Sequence, residues 1–307
     1  MLNQIVTILL LVILLSSQSV NANSSTTFIS VEKSLERLSS LSFDGRKPGS
    51  TGHKKAQQYI TSVFNSNSKG PTSTIFHSFT YKKQFKTKEG TNLLFKKIGN
   101  ITPDKFIVIT AHYDHLGKKG SNVYLGADDN ASGTAVLLGL QQYFNNKQTK
   151  HSIIFVAIDA EEDDLAGSRA LLKSGIINPS QVLLNLNLDM IAHGYKQKYL
   201  YVNKTSSNQI LKQVLQKYHR IKDNVELKQK RYLNNDRNSI IKGRIDLTRA
   251  SDHYEFAKVG IPYLFITGDN HKYYHKPEDS FEKINLKFYQ NVFASIKSIV
   301  TIIDNEF

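Results

Sequence analysis

The sequence predicts an α/β fold, a three-layer sandwich in which a central, mostly parallel (mixed) sheet has helices on both faces. Short apolar, β-branched runs at 105–111 and 152–158 are typical of buried parallel strands. Segments with helical spacing of apolar residues separate these runs, which favours strand–helix alternation. The 307 residues contain 40% apolar and 21% charged residues, enough for a sizeable core. No linker or repeat interrupts the chain after residue 30, so we expect a single domain over residues 23–307.

The first half of the chain begins with a helix and then turns to strands. Apolar residues at helical spacing, from Ala56 to Phe64, predict a helix over 51–64. Two β-rich runs follow and are compatible with a hairpin. After them, apolar strands alternate with helical segments. The predicted elements are strands 74–85, 92–98, 105–111 and 152–158, and helices 132–144 and 165–173.

The second half continues the alternation. The run 182–188 alternates apolar and polar residues, as a strand does. A long apolar-periodic segment near the end of the sequence predicts a closing helix. The remaining predicted elements are strands 199–203 and 263–266 and helices 208–219, 251–259 and 286–303.

The N-terminus has the pattern of a secretory signal peptide. Residues 5–15 form an apolar run of 11 residues, which is too short to span a bilayer and suits a signal-peptide core. A polar stretch and a small-residue site follow, which predicts cleavage after Ala22, although no Lys or Arg precedes the run. We therefore expect a signal peptide over 1–22, export to the periplasm or secretion, and no stable membrane insertion after cleavage.

Composition excludes several chemistries. The sequence has no cysteine, which rules out disulfides, thiolate zinc sites and a cysteine nucleophile. Lys and Arg number 40 against 26 acidic residues, a formal charge of +14, but the lysines are scattered and accompany no nucleic-acid-binding motif. We expect a solvated basic surface and no nucleic-acid partner.

Acidic residues and histidines follow four of the predicted strands. His112 and Asp114 come directly after 105–111, and Glu161 and Glu162 follow 152–158. The two later strands are followed by further such residues, Asp189 and, after a loop, His275. Ligands of open α/β sheets bind beyond the carboxyl ends of the strands, and clustered carboxylates there need a cation to balance them.

The residue types indicate zinc. A small-residue segment at 126–133 adds Asp128 and Asp129 just before a helix. Histidine, aspartate and glutamate with no sulfur provide the nitrogen and oxygen donors that zinc accepts. Five such residues suffice for two ions that share one bridging carboxylate. One glutamate of the 161–162 pair is then left to move a proton.

The sequence resembles the co-catalytic dizinc aminopeptidases of metallopeptidase family 28, of the bacterial leucyl aminopeptidase type. Five blocks carry the resemblance in order, with a sixth at the start of the region, and together they cover about residues 45–300. Single blocks are weak signals, but their order is specific. The blocks are AHYDH, GADDNASG, DAEEDDLAGS, NLDM and YHKPEDS, preceded by GRKPGSTGHKKAQQYI.

The resemblance implies a ligand set for two zinc ions per chain. His112 and Asp189 would bind one ion, and Glu162 and His275 the other. Asp129 would bridge them, because the family's bridging aspartate lies three residues before a Ser-Gly pair; by that count Asp128 is the wrong one. The family also often has a non-proline cis peptide after this aspartate.

The resemblance also implies roles in hydrolysis. Glu161 would act as general base and acid on a metal-activated water, Asp114 would orient His112, and Tyr274 would hydrogen-bond the oxyanion. The substrates would be peptides with a free N-terminus, cleaved at the first peptide bond. The preferred N-terminal residue and the oligomeric state stay open.

Other interpretations compete with this one. The nearest is a glutaminyl-peptide cyclotransferase, with a related fold and a single zinc; the absence of tryptophan and the intact blocks favour the hydrolase. A wider-clan carboxypeptidase or dipeptidase, and a non-catalytic binding relative, are weaker candidates. Taken singly, each residue could also be a cap, a turn former or a core histidine.

Several neighbouring residues receive a structural interpretation. Residues 251–253 spell Ser-Asp-His, but such triads are spatial rather than sequential, so we expect a turn there. Asp252 or Arg249 could line the substrate pocket. The histidines close to the predicted ligands are expected to be exposed loop residues; these are His115, His193 and His271.

Overall fold

The computed structural model describes residues 29–66, 74–194, 196–221, 225–234 and 243–307. The predicted signal peptide, with its cleavage site after Ala22, lies outside these ranges, as does most of the Ser/Asn-rich sequence at 65–73. Within the described part of the chain, no helix combines the length and apolar character needed to cross a membrane.

The elements alternate much as predicted. The helices are α1 (Val31–Leu38), α2 (Thr51–Ser66), α3 (Gly133–Asn145), α4 (Ala166–Lys173), α5 (Gln209–His219), α6 (His253–Lys258) and α7 (Leu286–Glu306). The strands are β1 (Ile75–Lys83), β2 (Lys86–Lys97), β3 (Thr102–His112), β4 (Gly117–Lys119), β5 (Asn122–Tyr124), β6 (His151–Ile158), β7 (Val182–Asp189), β8 (Tyr199–Lys204), β9 (Glu226–Gln229), β10 (Tyr232–Asn234), β11 (Arg244–Asp246) and β12 (Tyr263–Thr267).

Eight of these strands form one mixed sheet in the order β1-β2-β6-β3-β7-β12-β8-β9. The four central strands, β6, β3, β7 and β12, run parallel to their neighbours in this group. The predicted hairpin β1–β2 is antiparallel and forms one edge, where β2 also pairs antiparallel with β6. The parallel group therefore brings four carboxyl ends to the same side of the sheet.

Helices cover both faces, which confirms the predicted three-layer α/β fold. On one face α1, α2, α3, α5 and α7 pack over the larger apolar core, which includes Leu35, Phe155 and Ile296. On the other face α4 and α6 cover a smaller core around Val156 and Phe256. Strand β6 is buried along its whole length, as its unbroken apolar run predicts.

The segment before α2 is joined to the rest of the molecule by Arg46. This side chain is fully buried, and its guanidinium donates to the backbone carbonyls of Leu38, Tyr113, Leu125 and Gly126 at 2.6–2.9 Å. Burial lowers the pKa of Arg46 to about 10, and nearby carboxylates oppose that shift. The N-terminal segment is thereby fixed to the two loops that follow β3 and β5.

Candidate active site

The candidate site lies beyond the carboxyl ends of the central parallel strands. His112 is the last residue of β3 and Asp189 the last of β7, while Glu161 and Glu162 follow β6. His275 is on the loop between β12 and α7. The side chains that the sequence predicted to meet do come together here.

One group of donor atoms surrounds His112. Its Nε2 lies 3.4 Å from Asp129 Oδ1 and 3.4 Å from Asp189 Oδ1. Glu161 Oε2 is farther away, at 4.0 Å from the same nitrogen. Asp189 Oδ1 is buried without a hydrogen-bond partner among the described residues, which is the state expected of a donor awaiting a cation.

A second group forms on the other side of Asp129. His275 Nε2 lies 3.1 Å from Asp129 Oδ2 and 3.4 Å from Glu162 Oε1. The two oxygens of Asp129 therefore face two different sets of donors. Asp128 turns away, because its Oδ1 accepts the backbone N–H of Ala192 at 2.7 Å.

The backbone around Asp129 has a special shape. The Asp129–Asn130 peptide bond is cis, as the resemblance implies. The Asn130 side chain donates to the carbonyl of Leu188 at 2.9 Å and accepts from the N–H of Gly133. The carboxylate of Asp279 accepts the N–H groups of Asp128 and Asp129 at 3.0–3.1 Å.

Asp114 holds the loop that carries the two glutamates. Its carboxylate accepts the backbone N–H of Glu161 at 3.0 Å and that of Glu162 at 3.3 Å. Towards His112, the backbone carbonyl of Asp114 lies 3.2 Å from Nδ1, while the carboxylate is 3.6 Å away. Asp114 thus contacts His112 through its main chain and the glutamate loop through its side chain.

Glu161 and Tyr274 sit among many carboxylates. Burial, followed by the charges of Asp189, Asp252 and Glu162, raises the pKa of Glu161 well above its usual value, and His112 opposes the rise. Burial also raises the pKa of Tyr274, whose ring stacks on that of His275 at 4.0 Å. Tyr274 therefore stays protonated and can donate a hydrogen bond.

The three histidines expected in exposed loops are not exposed. His115 is fully buried, and its Nδ1 lies 2.9 Å from Glu162 Oε1. His193 and His271 pack against each other at 4.2 Å, and His271 Nε2 is 3.1 Å from Asp128 Oδ2. The expectation is wrong because the loops fold inward at the sheet's carboxyl edge; for His115, its position three residues after His112 was the available signal.

A pocket opens onto these groups and combines acidic and apolar walls. The acidic side includes Asp129, Glu161, Glu162 and Asp189. Apolar side chains also line the pocket, namely Met190, Leu233, Ile245, Leu247, Ala250 and Phe265. Strands β10 and β11 contribute Leu233 and Ile245 to this lining, and neither strand was predicted from the sequence.

The residues suggested as pocket neighbours lie elsewhere. Neither Arg249 nor Asp252 lines this pocket among the residues that the structure describes, although Ala250 between them does. Asp252 is fully buried directly before α6, and its carboxylate makes no hydrogen bond in the described part of the chain. Burial raises its pKa to about 7.

This fold and this group of imidazole and carboxylate donors are compatible with a metallopeptidase, and comparison with known proteins identifies the family. The model of Peptidase family M28 matches residues 92–300, and the chain belongs to this family. The prediction made from the sequence blocks is therefore confirmed at the level of the family.

One relative of this chain is named as an aminopeptidase. Aminopeptidase YwaD of Bacillus subtilis (strain 168) is 31% identical over 216 residues, 66% of this chain. The match covers 42% of YwaD, so the chain spans less than half of that relative's length.

Solved structures show the same fold at low sequence identity. The zinc aminopeptidase BSAP from Bacillus subtilis gives a TM-score of 0.69 at 16% identity, over 88% of this chain and 93% of BSAP. Glutaminyl cyclase of Porphyromonas gingivalis gives a TM-score of 0.70 at 18% identity, over 88% of this chain and 96% of the cyclase.

Proposed function

We propose that the chain is an exported zinc aminopeptidase that holds two zinc ions and hydrolyses the N-terminal bond of peptides. One observation carries the proposal: the two carboxylate oxygens of Asp129 face separate donor groups, 3.4 Å from His112 and 3.1 Å from His275. A carboxylate placed in this way suits a pair of metal ions that it bridges. The apolar run at residues 5–15 supports export.

The donors fit zinc. His112 and Asp189 would hold one ion, Glu162 and His275 the other, and Asp129 both. All are imidazole or carboxylate groups, and Asp189 Oδ1 has no other partner among the described residues. When bound, the ions would polarise the substrate carbonyl and lower the pKa of water.

Glu161 is assigned the proton transfers. Its Oε2 lies 4.0 Å from His112 Nε2, farther than the oxygens of Asp129 and Asp189, which lie at 3.4 Å. Glu161 also lines the pocket. Burial makes its carboxylate more basic, which suits a group that takes a proton from water and gives it to the leaving amine. Asp114 positions it by accepting its backbone N–H, and the hydroxyl of Tyr274 would hydrogen-bond the oxyanion.

The pocket supports peptides with a free N-terminus as substrates. Its acidic wall would attract the protonated α-amine of the first residue. The apolar side chains that line the pocket, among them Leu247 and Phe265, would accommodate an apolar first side chain.

The decisive experiment combines metal counting with an activity assay on the mature chain equilibrated in dilute zinc. We expect two zinc ions per chain and hydrolysis of aminoacyl amides with a free amine. Glu161→Gln should keep both ions and lose at least about 10³-fold in kcat, whereas the exposed Glu36→Gln should change neither. One zinc, with cyclisation of N-terminal glutamine peptides, would instead identify a cyclase.

A further inference from the structure

We propose that His115 is an additional protein ligand of the zinc ion held by Glu162 and His275. The inference rests on the proposed dizinc function and adds a residue to it. His115 follows His112 by three positions and is fully buried, and its Nδ1 faces the carboxylates of the centre rather than solvent.

Distances around this group support a common ligand shell. His115 Nδ1 lies 2.9 Å from Glu162 Oε1 and 3.8 Å from Asp129 Oδ2. From the same two oxygens, His275 Nε2 lies 3.4 and 3.1 Å. Ligand atoms around a tetrahedral zinc with bonds of about 2.0–2.1 Å are about 3.3–3.4 Å apart, which these four distances bracket.

The two imidazole rings are arranged as two ligands of one ion can be. Their centroids are 6.0 Å apart and their planes make an angle of 63°, so the rings meet edge to face without stacking. Nδ1 of His115 and Nε2 of His275 both lie within 3.8 Å of the same two oxygens, Asp129 Oδ2 and Glu162 Oε1. The donor atoms of His115, Asp129 and Glu162 all lie within 4.8 Å of one another.

A hydrogen bond from Nδ1 to Glu162 is the alternative reading of the 2.9 Å contact. Such a bond would place a proton between His115 and the oxygen that the zinc ion also needs. An ion bound by Glu162, Asp129 and His275 would repel that proton, so the lone pair of Nδ1 is the better neighbour for the cation. The proton then resides on Nε2, which is buried and has no partner among the described residues.

The surrounding backbone keeps the His115 ring in place. The backbone N–H of His115 donates to the carbonyl of Arg46 at 3.3 Å. Gly126, which has φ 57°, packs against the ring so closely that a Cβ there would lie 2.5 Å from Cδ2. These two contacts restrict the His115 ring to its position beside Asp129 and Glu162.

The ligand role has a chemical consequence. With Asp129, Glu162, His275 and His115 around it, the second zinc would have four protein donors and a closed shell, as structural zinc sites do. The open position for substrate and water would then belong to the ion beside His112 and Asp189. Glu161, which lies 4.0 Å from His112, is on that same side.

Two variants separate a ligand from a hydrogen-bonding residue. His115→Asn keeps an amide N–H near the position of Nδ1 but removes the imidazole, and His115→Leu removes both. If His115 is a zinc ligand, both variants should bind the second zinc at least about 100-fold more weakly than the parent. Competition with a chromophoric chelator measures this affinity. The exposed His219→Asn should bind zinc as the parent does.

A crystal structure of the zinc-loaded parent chain supplies the second readout. We expect Nδ1 of His115 at about 2.1 Å from zinc. A zinc–Nδ1 distance beyond about 3 Å, or normal affinity in His115→Asn, overturns the inference while two bound ions leave the proposed function intact. If a single ion binds with Nδ1 in its shell, the dizinc function fails and the role of His115 stands.

Discussion

Arg46 shows how one side chain can organise a site that it does not enter. Its guanidinium donates to four carbonyls at 2.6–2.9 Å and to a fifth, that of Asp129, at 3.5 Å. No carboxylate lies at hydrogen-bonding distance from it among the described residues. The planar guanidinium presents several N–H donors in fixed directions and can bond several acceptors at once. A lysine ammonium is a compact charge whose donors all come from one nitrogen. The loops after β3 and β5 depend on this geometry.

Replacing Arg46 by lysine should therefore destabilise the protein by about 3 kcal/mol or more, because several buried carbonyls lose their donors. Urea unfolding monitored by circular dichroism measures the change. Arg37→Lys is the matched control; Arg37 is exposed and lies over the ring of Tyr59, so its loss should cost less than about 1 kcal/mol. Equal effects of the two substitutions would contradict this account.

His253 gives the folded state a defined dependence on pH. The ring is fully buried, stacks on Phe265 at 4.2 Å and contacts the carbonyl of Leu247 through Nε2. Burial lowers the pKa of His253 from 6.5 to about 3. Below pH 6.5 the unfolded chain binds a proton that the folded chain does not, so stability falls as the pH drops from 6.5 towards 3.

Urea midpoints at a series of pH values test this dependence. Between pH 6.5 and about 3, His253→Gln should lose less stability than the parent, because the contribution of His253 is absent. Its plot of urea midpoint against pH should therefore be flatter. His219→Gln, at an exposed position, should keep the parent slope. An unchanged slope in His253→Gln would mean that other groups cause the acid sensitivity.

The β1–β2 hairpin is connected by side-chain contacts to the loop that carries the two glutamates. Asp163 follows Glu162 and is contacted by Lys83, by Lys88 Nζ at 2.8 Å and by the hydroxyl of Tyr81 at 2.6 Å. Burial alone would raise the pKa of Asp163, but the hydrogen bonds from the lysines outweigh it and lower the pKa. The hairpin thus fixes the loop from outside the pocket.

Asp163→Asn should loosen this connection. The variant loses the charge that pairs with Lys83 and Lys88, and we expect faster hydrogen exchange over residues 159–165 and about tenfold lower kcat/KM, equivalent to about 1.4 kcal/mol. Asp104→Asn, at an exposed position of β3, is the control and should leave both quantities unchanged. Parent-like exchange in Asp163→Asn would show that the hairpin does not hold the loop.

Burial and hydrophobic pattern explain which strands could be predicted from the sequence. Strands β3 and β6 were predictable because their apolar runs are continuous, and β7 because its apolar and polar residues alternate. The residues at the ends of these strands follow from chain direction. The three-residue strands β10 and β11 were not, because such short pieces have no resolvable periodicity. They are also the elements that bring Leu233 and Ile245 to the pocket.

Residue positions beyond strand ends were harder to predict. Asp128 and Asp129 are adjacent and chemically identical, and only the count to the Ser-Gly pair distinguished them. The spacing of His115 from His112 was a weak signal, because whether a loop histidine turns inward depends on contacts distant in sequence, here Arg46 and Gly126.

For the whole molecule, the N-terminal segment is part of the folding unit. Helix α1 packs on the main core through Leu35 and Leu38, and Arg46 joins the loops near the site. A chain that begins at residue 47 should lose cooperative thermal unfolding and zinc binding, whereas one that begins at residue 29 should retain both. Calorimetry and metal analysis of the two chains provide the test; equal melting temperatures would refute it.

The β1–β2 hairpin also determines which backbone groups the sheet leaves unpaired. Strand β1 is the outermost strand on its side, with Phe76 exposed, and the hairpin carries lysines near its tip, including Lys82, Lys83 and Lys86. Like charges on an outer strand oppose its pairing with the same strand of another molecule. Solubility at high protein concentration would then depend on these cations, and salt, which screens them, would promote edge-to-edge association.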